Sequence, residues 1–382
     1  MATQLGYCSN IHPGEDWPLH HAQLQEHLPA VLAQIPNIRV GLGLRLANPA
    51  LADFSGSDFK VWIQGQGSYV FTFNGFPYGQ FHDQKVKDQV HAPDWSTPER
   101  ILYTKKLFRH LVEVMPDDLS QAGVSTSPLS YRHWWPNREE AIRQLTSSIL
   151  VILAELIHLK GETGKSLHLD IEPEPDGLIE TGQEFVHWYT EILRPMAYVA
   201  GFSESQLVEH IQLCFDICHV AVGFESATAL LLALKQHQIP IGKFQVSSAL
   251  RVRWDSQIED KVAELRAFVE PTYLHQVVGL RLDGTLDRFL DLDQALAQAN
   301  PRDYTEWRIH FHVPIFLPSF GLLESTQDVI EECMAYFNQN HPTDQLEIET
   351  YTWGVLPESL QEPIHLSIAR EITWLQTQLK DA

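Results

Sequence analysis

Short runs of β-forming residues alternate with stretches of helical apolar spacing along nearly the whole chain. The runs are Gln4–Asn10, Ile38–Leu46, Tyr69–Phe76, Gly123–Leu129, Ser166–Glu172, Ile211–Ile217, Gly242–Ser248 and Leu346–Thr352. Helical patterns fall near 20–35, 98–115, 137–160, 180–201, 224–237, 255–268 and 324–341, and a last one, Pro363–Leu379, follows the eighth run. Strands each followed by a helix, eight times over, predict an α/β fold, a (β/α)8 TIM barrel, as a single domain over 1–382. The second unit is the weakest, because residues 47–68 read as an irregular insertion. Two further β-like runs, Tyr273–Leu282 and Trp307–Phe316, exceed the count. They predict an inserted β-ribbon between strands 7 and 8, unless one of them is itself a barrel strand.

Side chains alternate along a strand, so parity assigns faces. In LHLDIE, Leu167, Leu169 and Ile171 oppose His168, Asp170 and Glu172; in IQLCFDI the apolar set opposes Gln212, Cys214 and Asp216. In LEIETYTW, Glu347 and Glu349 share the polar face, and in KFQVSS so do Lys243, Gln245 and Ser247. The outward face of a barrel packs on helices and must be apolar. The polar sets therefore point inward, where crowded carboxylates need a cation or a proton. The plainer alternative is an antiparallel sheet with one wet face. Against it, Glu172, Asp216 and Glu349 sit at strand ends, where barrels build their active sites.

Composition narrows the partners. The formal charge of −22, from 27 basic and 49 acidic residues, repels phosphate backbones and anionic lipid, so nucleic acid is not expected as a partner. The start, MATQLGYCSN, lacks the basic and apolar regions of a signal peptide. The longest apolar stretch, Ile149 to Ile157, is interrupted by Glu155, so membrane insertion is not expected. Four cysteines read as buried thiols, and the compartment as cytoplasmic. The oligomeric state is left open, a homo-oligomer included.

Oxygen and imidazole donors without thiolates suit Mn, Mg, Co or Zn as a divalent metal. FDICH supplies Asp216 and, one helical turn on, His219. The set Glu172, Asp216-x-x-His219 and Glu349 resembles the xylose-isomerase-like barrels: sugar isomerases, tagatose-type 3-epimerases and endonuclease IV. The segments YCSNIHPGEDW, VGLGLRL, FTFNGFPYG, LDIEPEPDG, FDICHVAV, HFHVPIF and EIETYTWGVLP resemble, more closely, the EboE-type metabolite traffic family. That resemblance implies a bacterial role near the export of secondary-metabolite precursors, with no assigned reaction. Epimerase-like members carry a strand-7 histidine as metal ligand, whereas this chain has Gln245. The resemblance leaves the fourth ligand open between Gln245 and the pair His310-x-His312, of which His312 is the expected one, and places Arg251 where epimerases bind substrate.

The expected metal ligands are therefore Glu172, Asp216, His312 and Glu349, with Glu172 and Glu349 also the acid/base pair. His219, His310, Gln245, Arg251 and His82 are candidates for a second metal or for substrate. Phe76, Trp134, Trp135 and Trp353 are candidate stacking residues, and Asn74 reads as a turn residue. His12 and Arg45 could reach the site or serve structure alone. The expected activity is a metal-dependent isomerase or epimerase acting on a small hydroxy-carbonyl compound. The alternatives are a multinuclear metal-dependent hydrolase and a non-catalytic metabolite-binding barrel.

Overall fold

A computed structural model describes residues 3–79, 86–357 and 360–380. Eight parallel strands close into a barrel: β1 (Gln4–Cys8), β2 (Gly41–Arg45), β3 (Tyr69–Asn74), β4 (Gln121–Thr126), β5 (Ser166–Ile171), β6 (Ile211–Asp216) and β7 (Ile241–Val246), with an eighth late in the chain. The chain then leaves the barrel. Strands β8 (Ala249–Arg253), β9 (Val277–Arg281), β10 (Leu286–Phe289), β11 (Tyr304–His312), β12 (Ser319–Phe320) and β13 (Leu323–Ser325) form a separate sheet in the order β10-β9-β11-β8-β13-β12. It returns as β14 (Gln345–Ile348), which pairs with β7 and β1 and closes the ring. The fold is a (β/α)8 barrel. The β insertion expected between the seventh and eighth barrel strands is present, and it is a six-stranded antiparallel sheet rather than a simple ribbon.

Local chemistry sets the helix ends. Asp16 accepts from the Leu19 amide at 2.9 Å and caps Trp17–Gln34, with Pro18 in the first turn. Thr97 and Asn137 cap Pro98–Val114 and Arg138–Thr163, and Gly164, at φ 71°, ends the latter in the left-handed region. Residues 47–68 are more regular than their sequence suggested. They hold a short 3-10 turn, Asn48–Ala52, and a helix, Gly56–Gly65, capped by Ser55. The helical pattern at 255–268 belongs to the insertion, as Ile258–Leu265, and Gln327–Asn340 connects β7 to β14. Arg138–Thr163 is, by length and composition alone, long and apolar enough to cross a membrane. In the fold it packs one face on β5, burying Leu145, Ile149, Ile152 and Leu156, while Glu155 binds Lys105 and Arg109.

Inward-pointing polar side chains are wide, and glycines opposite them make room. A Cβ on Gly43 would lie 1.5 Å from Glu347 Oε1, and one on Gly242 would lie 1.9 Å from Asp170 Oδ1. Lys243, fully buried, forms an ion pair with Glu347 and donates to Asn74 Oδ1 at 2.7 Å; Asn74 Nδ2 donates to Glu347 at 2.6 Å. Asn74 is thus the closing polar link of β3 rather than a turn residue. Below it, His168 and Asp170 pair at 2.7 Å. Replacing Gly242 with alanine should destabilise the fold by about 1–3 kcal/mol, because the added methyl would displace the buried Asp170 carboxyl from its pairing with His168. The urea unfolding midpoint measures this; an unchanged midpoint would show that the cradle is slack.

Candidate metal centre

The C-terminal ends of the barrel strands carry the chemistry. Glu172 follows β5 directly, and Glu349 follows β14, its amide bonded to Val246 O at 3.1 Å. Asp216 ends β6 and caps the helix Ile217–Val222, accepting from the His219 amide at 3.0 Å. That cap fixes His219 one turn beyond Asp216. Ser247 donates to the same Asp216 oxygen at 2.8 Å. The insertion returns His310 and His312 on the end of β11 to the barrel mouth. All six side chains are buried.

Each of the three histidines has its Nδ1 held by a carbonyl-type oxygen. His219 Nδ1 lies 2.9 Å from Pro173 O, and His312 Nδ1 lies 2.7 Å from Glu349 O. His310 Nδ1 lies 2.9 Å from Gln276 Oε1, whose amide is oriented by donating to Pro175 O at 3.1 Å. These partners put the proton on Nδ1 in every ring and leave each Nε2 as a lone pair. His219 Nε2 and His310 Nε2 then face each other at 3.1 Å with no proton to share, and His312 Nε2 is buried without a partner. Asp216 Oδ2 is likewise buried without a donor. Ring orientation by oxygens held against the other ring nitrogen is the arrangement of metal-binding imidazoles.

Four overlapping triads place one donor atom each within 4.8 Å of one another. They are Glu172/Asp216/Glu349, Asp216/His219/His312, Glu174/His219/His310 and Cys218/His310/His312. Asp216 belongs to both the carboxylate and the imidazole groups. Electrostatics give the same answer. Burial, then the neighbouring Glu349 and Asp216, push the Glu172 carboxyl well above its usual range. Burial also raises Asp216, pulls His219 down to about 4, and drives His310 well below its ordinary value. Clustered acids that resist ionisation beside imidazoles that resist protonation are both relieved by a divalent cation. The buried donor set fits one, with metal identity open.

The other expected residues are distributed as follows. Gln245 donates to Glu172 at 3.1 Å and to Glu349, while Cys214 donates to its carbonyl. It therefore ties the two glutamates together rather than offering its oxygen to a cation. Arg251 lies on β8, bonded to Asp328 at 2.9–3.0 Å and to Glu324 at 3.1 Å, and is not part of the cavity lining. His82 lies outside the described residues. Arg45 pairs with Glu15 at 2.8 Å, and His12 packs on His27 and Tyr7. Phe76 lines the cavity; Trp134, Trp135 and Trp353 do not.

Several lining residues were not anticipated: Asn10, His91, Glu174, Gln276 and Tyr351. Glu174 stands two residues past Glu172 in EPEP and Asn10 ends the first β run, so both had a positional signal. His91 ends a short 3-10 turn, Lys87–His91, that carried none.

No protein-family model matches the sequence, and no curated protein does. Solved structures similar to it include the IolI protein with a bound zinc atom, at 12% identity, 97% of this chain and 96% of that chain, TM-score 0.48. Another is a xylose isomerase domain containing protein from Salmonella typhimurium LT2, at 10%, 99% and 97%, TM-score 0.46. A D-tagatose 3-epimerase-like protein follows at 12%, 64% and 76%, TM-score 0.42. At such identity and overlap these similarities do not bear on the chemistry of this chain. By its own topology and donors, the protein is a (β/α)8 barrel with a buried site fit for a divalent metal.

Two outcomes follow from this geometry. His312→Ala should lose most bound zinc or manganese on metal analysis, while the wild type retains it through gel filtration; equal content would remove the imidazole cluster from the site. Beneath the cluster, Glu371 accepts from Thr350 Oγ1 at 2.7 Å and from the Ile315 amide at 3.2 Å, tying together the segments that carry Glu349 and His312. Burial raises its carboxyl from 4.5 to about 7. The folded state thus binds this proton more tightly than the unfolded chain. Its stabilising contribution is present below pH 4.5 and is lost as pH rises through about 7, on the order of 3 kcal/mol in all. Glu371→Gln should flatten unfolding free energy between pH 5 and 7 relative to wild type by roughly that slope; parallel profiles would contradict it.

Proposed function

We propose that this protein is a divalent-metal-dependent enzyme that moves a proton within a small hydroxy-carbonyl metabolite, as an isomerase or epimerase. The observation that carries the reading is the pairing of Glu172 and Glu349 by one amide, Gln245, on the wall of the cavity that His219, His310 and His312 also line. When bound, the cation would supply positive charge that polarises the substrate oxygens. Asp216, His219 and His312, one of the triads whose donor atoms converge, would hold it. Glu349 accepts from Asn10 at 2.6 Å and from Gln245 on its other oxygen, so its carboxyl plane is fixed. Glu172, with one oxygen held by Gln245, faces the same cavity and acts as its partner in taking and returning a proton.

This reading places the chain among the xylose-isomerase-like barrels, in the EboE-type family, with a role in processing or passing on secondary-metabolite precursors in the cytoplasm. It is supported by the motifs quoted above and by the strand-end positions of the donors. A second reading is favoured by one observation: three carboxylates, three imidazoles, Glu174 and Cys218 exceed what a single ion needs. More than one metal would suit a hydrolase.

Solvent deuterium incorporation into small ketoses and aldoses, followed by NMR, tests the proposal. The metal-loaded wild type should exchange a carbon-bound proton, and Glu172→Gln or Glu349→Gln should slow this by about 10²-fold or more. Unchanged metal content and unchanged exchange in Glu172→Gln would sink the assignment. Two or three ions per chain, with hydrolysis of a phosphoester, would establish the second reading.

A further inference from the structure

Trp134, a candidate stacking residue that the metal cavity does not use, lines a second cleft of about 840 Å³. This cleft runs between the loop after β4 and the insertion. It shares Lys87 and Leu274 with the lining of the metal cavity and contains none of the metal donors.

One wall is aromatic. The Tyr131 and Trp134 rings meet at 66° with their centroids 5.7 Å apart, which makes a corner of two π systems. Trp134 Nε1 donates to Asp88 Oδ2 at 3.0 Å, so a carboxylate sits against the indole and adds to the negative potential of its face. Tyr131 is 6% exposed and lines the cleft, yet its hydroxyl makes no hydrogen bond among the described residues. A polar group so buried is costly without a partner, and a ligand that bonds to it recovers that cost. Its surroundings are negative: burial, then Asp176, Asp88, Glu174 and Asp291, push its ionisation well above the ordinary phenol range. An anionic ligand is therefore disfavoured there.

The remaining walls carry acid and alkyl groups. Lys87 is paired with Asp291 at 2.5 Å, His133 with Asp176 at 3.1 Å, and Glu270 with His275 at 2.7 Å. Two carboxylates are left over. Asp88 accepts only from the neutral groups of Trp134 and Gln89, and the exposed Asp293 forms no ion pair, both among the described residues. The same lining exposes apolar surface, with Val269 and Leu290 at 41% and 40%. A cleft that combines unpaired acid, open π faces and alkyl surface calls for a ligand that is both cationic and apolar.

We propose that this cleft is a binding site for a small-molecule alkylammonium group. The face of Trp134 takes the charge and the Tyr131 hydroxyl oxygen accepts an N–H. Asp88 and Asp293 supply the countercharge, and Val269 and Leu290 cover the alkyl chain. The site goes beyond the proton-transfer reading and does not depend on it.

Calorimetry on the metal-loaded protein, in about 0.15 M salt, compares n-hexylammonium with 1-hexanol. The amine should bind about tenfold more tightly than the alcohol. Trp134→Leu should weaken amine binding about tenfold, and Tyr131→Phe about fivefold. Asp293→Asn, at an exposed position where the fold is not at risk, should weaken it about two- to threefold. Metal content should be unchanged in all three variants. Equal affinity for amine and alcohol, or amine affinity unchanged in Trp134→Leu or in Asp293→Asn, would overturn the site. Amine binding by a protein that exchanges no carbon-bound proton would refute the proton-transfer reading and leave this site standing.

Discussion

Everything at the barrel mouth depends on one constraint: anions and lone pairs placed in a dry interior must be met by positive charge. Burial raises Glu172, Asp216, Glu347 and Asp170 together. The protein answers with two kinds of cation at two depths. In the barrel interior, Lys243 neutralises Glu347, and although burial pulls its ammonium down, Glu347 and the nearby Cys214 and Cys8 raise it further. At the mouth, Lys87 lines the cavity but is paired with Asp291, while His219, His310 and His312 offer lone pairs. That is a place for a metal ion rather than for a side chain.

The insertion is what changes the site. A barrel running directly from β7 to β14 would present Glu172, Asp216, Gln245 and Glu349, and Gln245 bonds the two glutamates to each other. The six-stranded sheet adds His310 and His312, and Gln276 from the same insertion orients His310. Glu371 fastens the return of that segment to the last helix. The donor set thus spans both the barrel and the excursion from it, and the cavity is closed by residues from each.

The barrel was legible because burial on both faces leaves a strong signature: apolar outward positions on every strand, polar inward ones, and helices between. Asp216-x-x-His219 was legible because a capping carboxylate fixes the residue three positions on. Other features depended on contacts far apart in sequence. The engagement of Arg251 with Asp328 and Glu324 is set by β13 pairing with β8, which no local pattern encodes. His91 meets Glu174 across more than eighty residues, and Gln276 meets His310 across a sheet whose strand order is 10-9-11-8-13-12. The six-stranded extent of the insertion was hidden because β12 and β13 are too short, at two and three residues, to show alternation.

Anomalous diffraction from crystals grown with zinc or manganese tests the central claim most directly. An ion bonded by Asp216, His219 and His312 is the predicted result. An empty cluster with its imidazoles bridged by a proton, or an ion bound elsewhere on the chain, would contradict it.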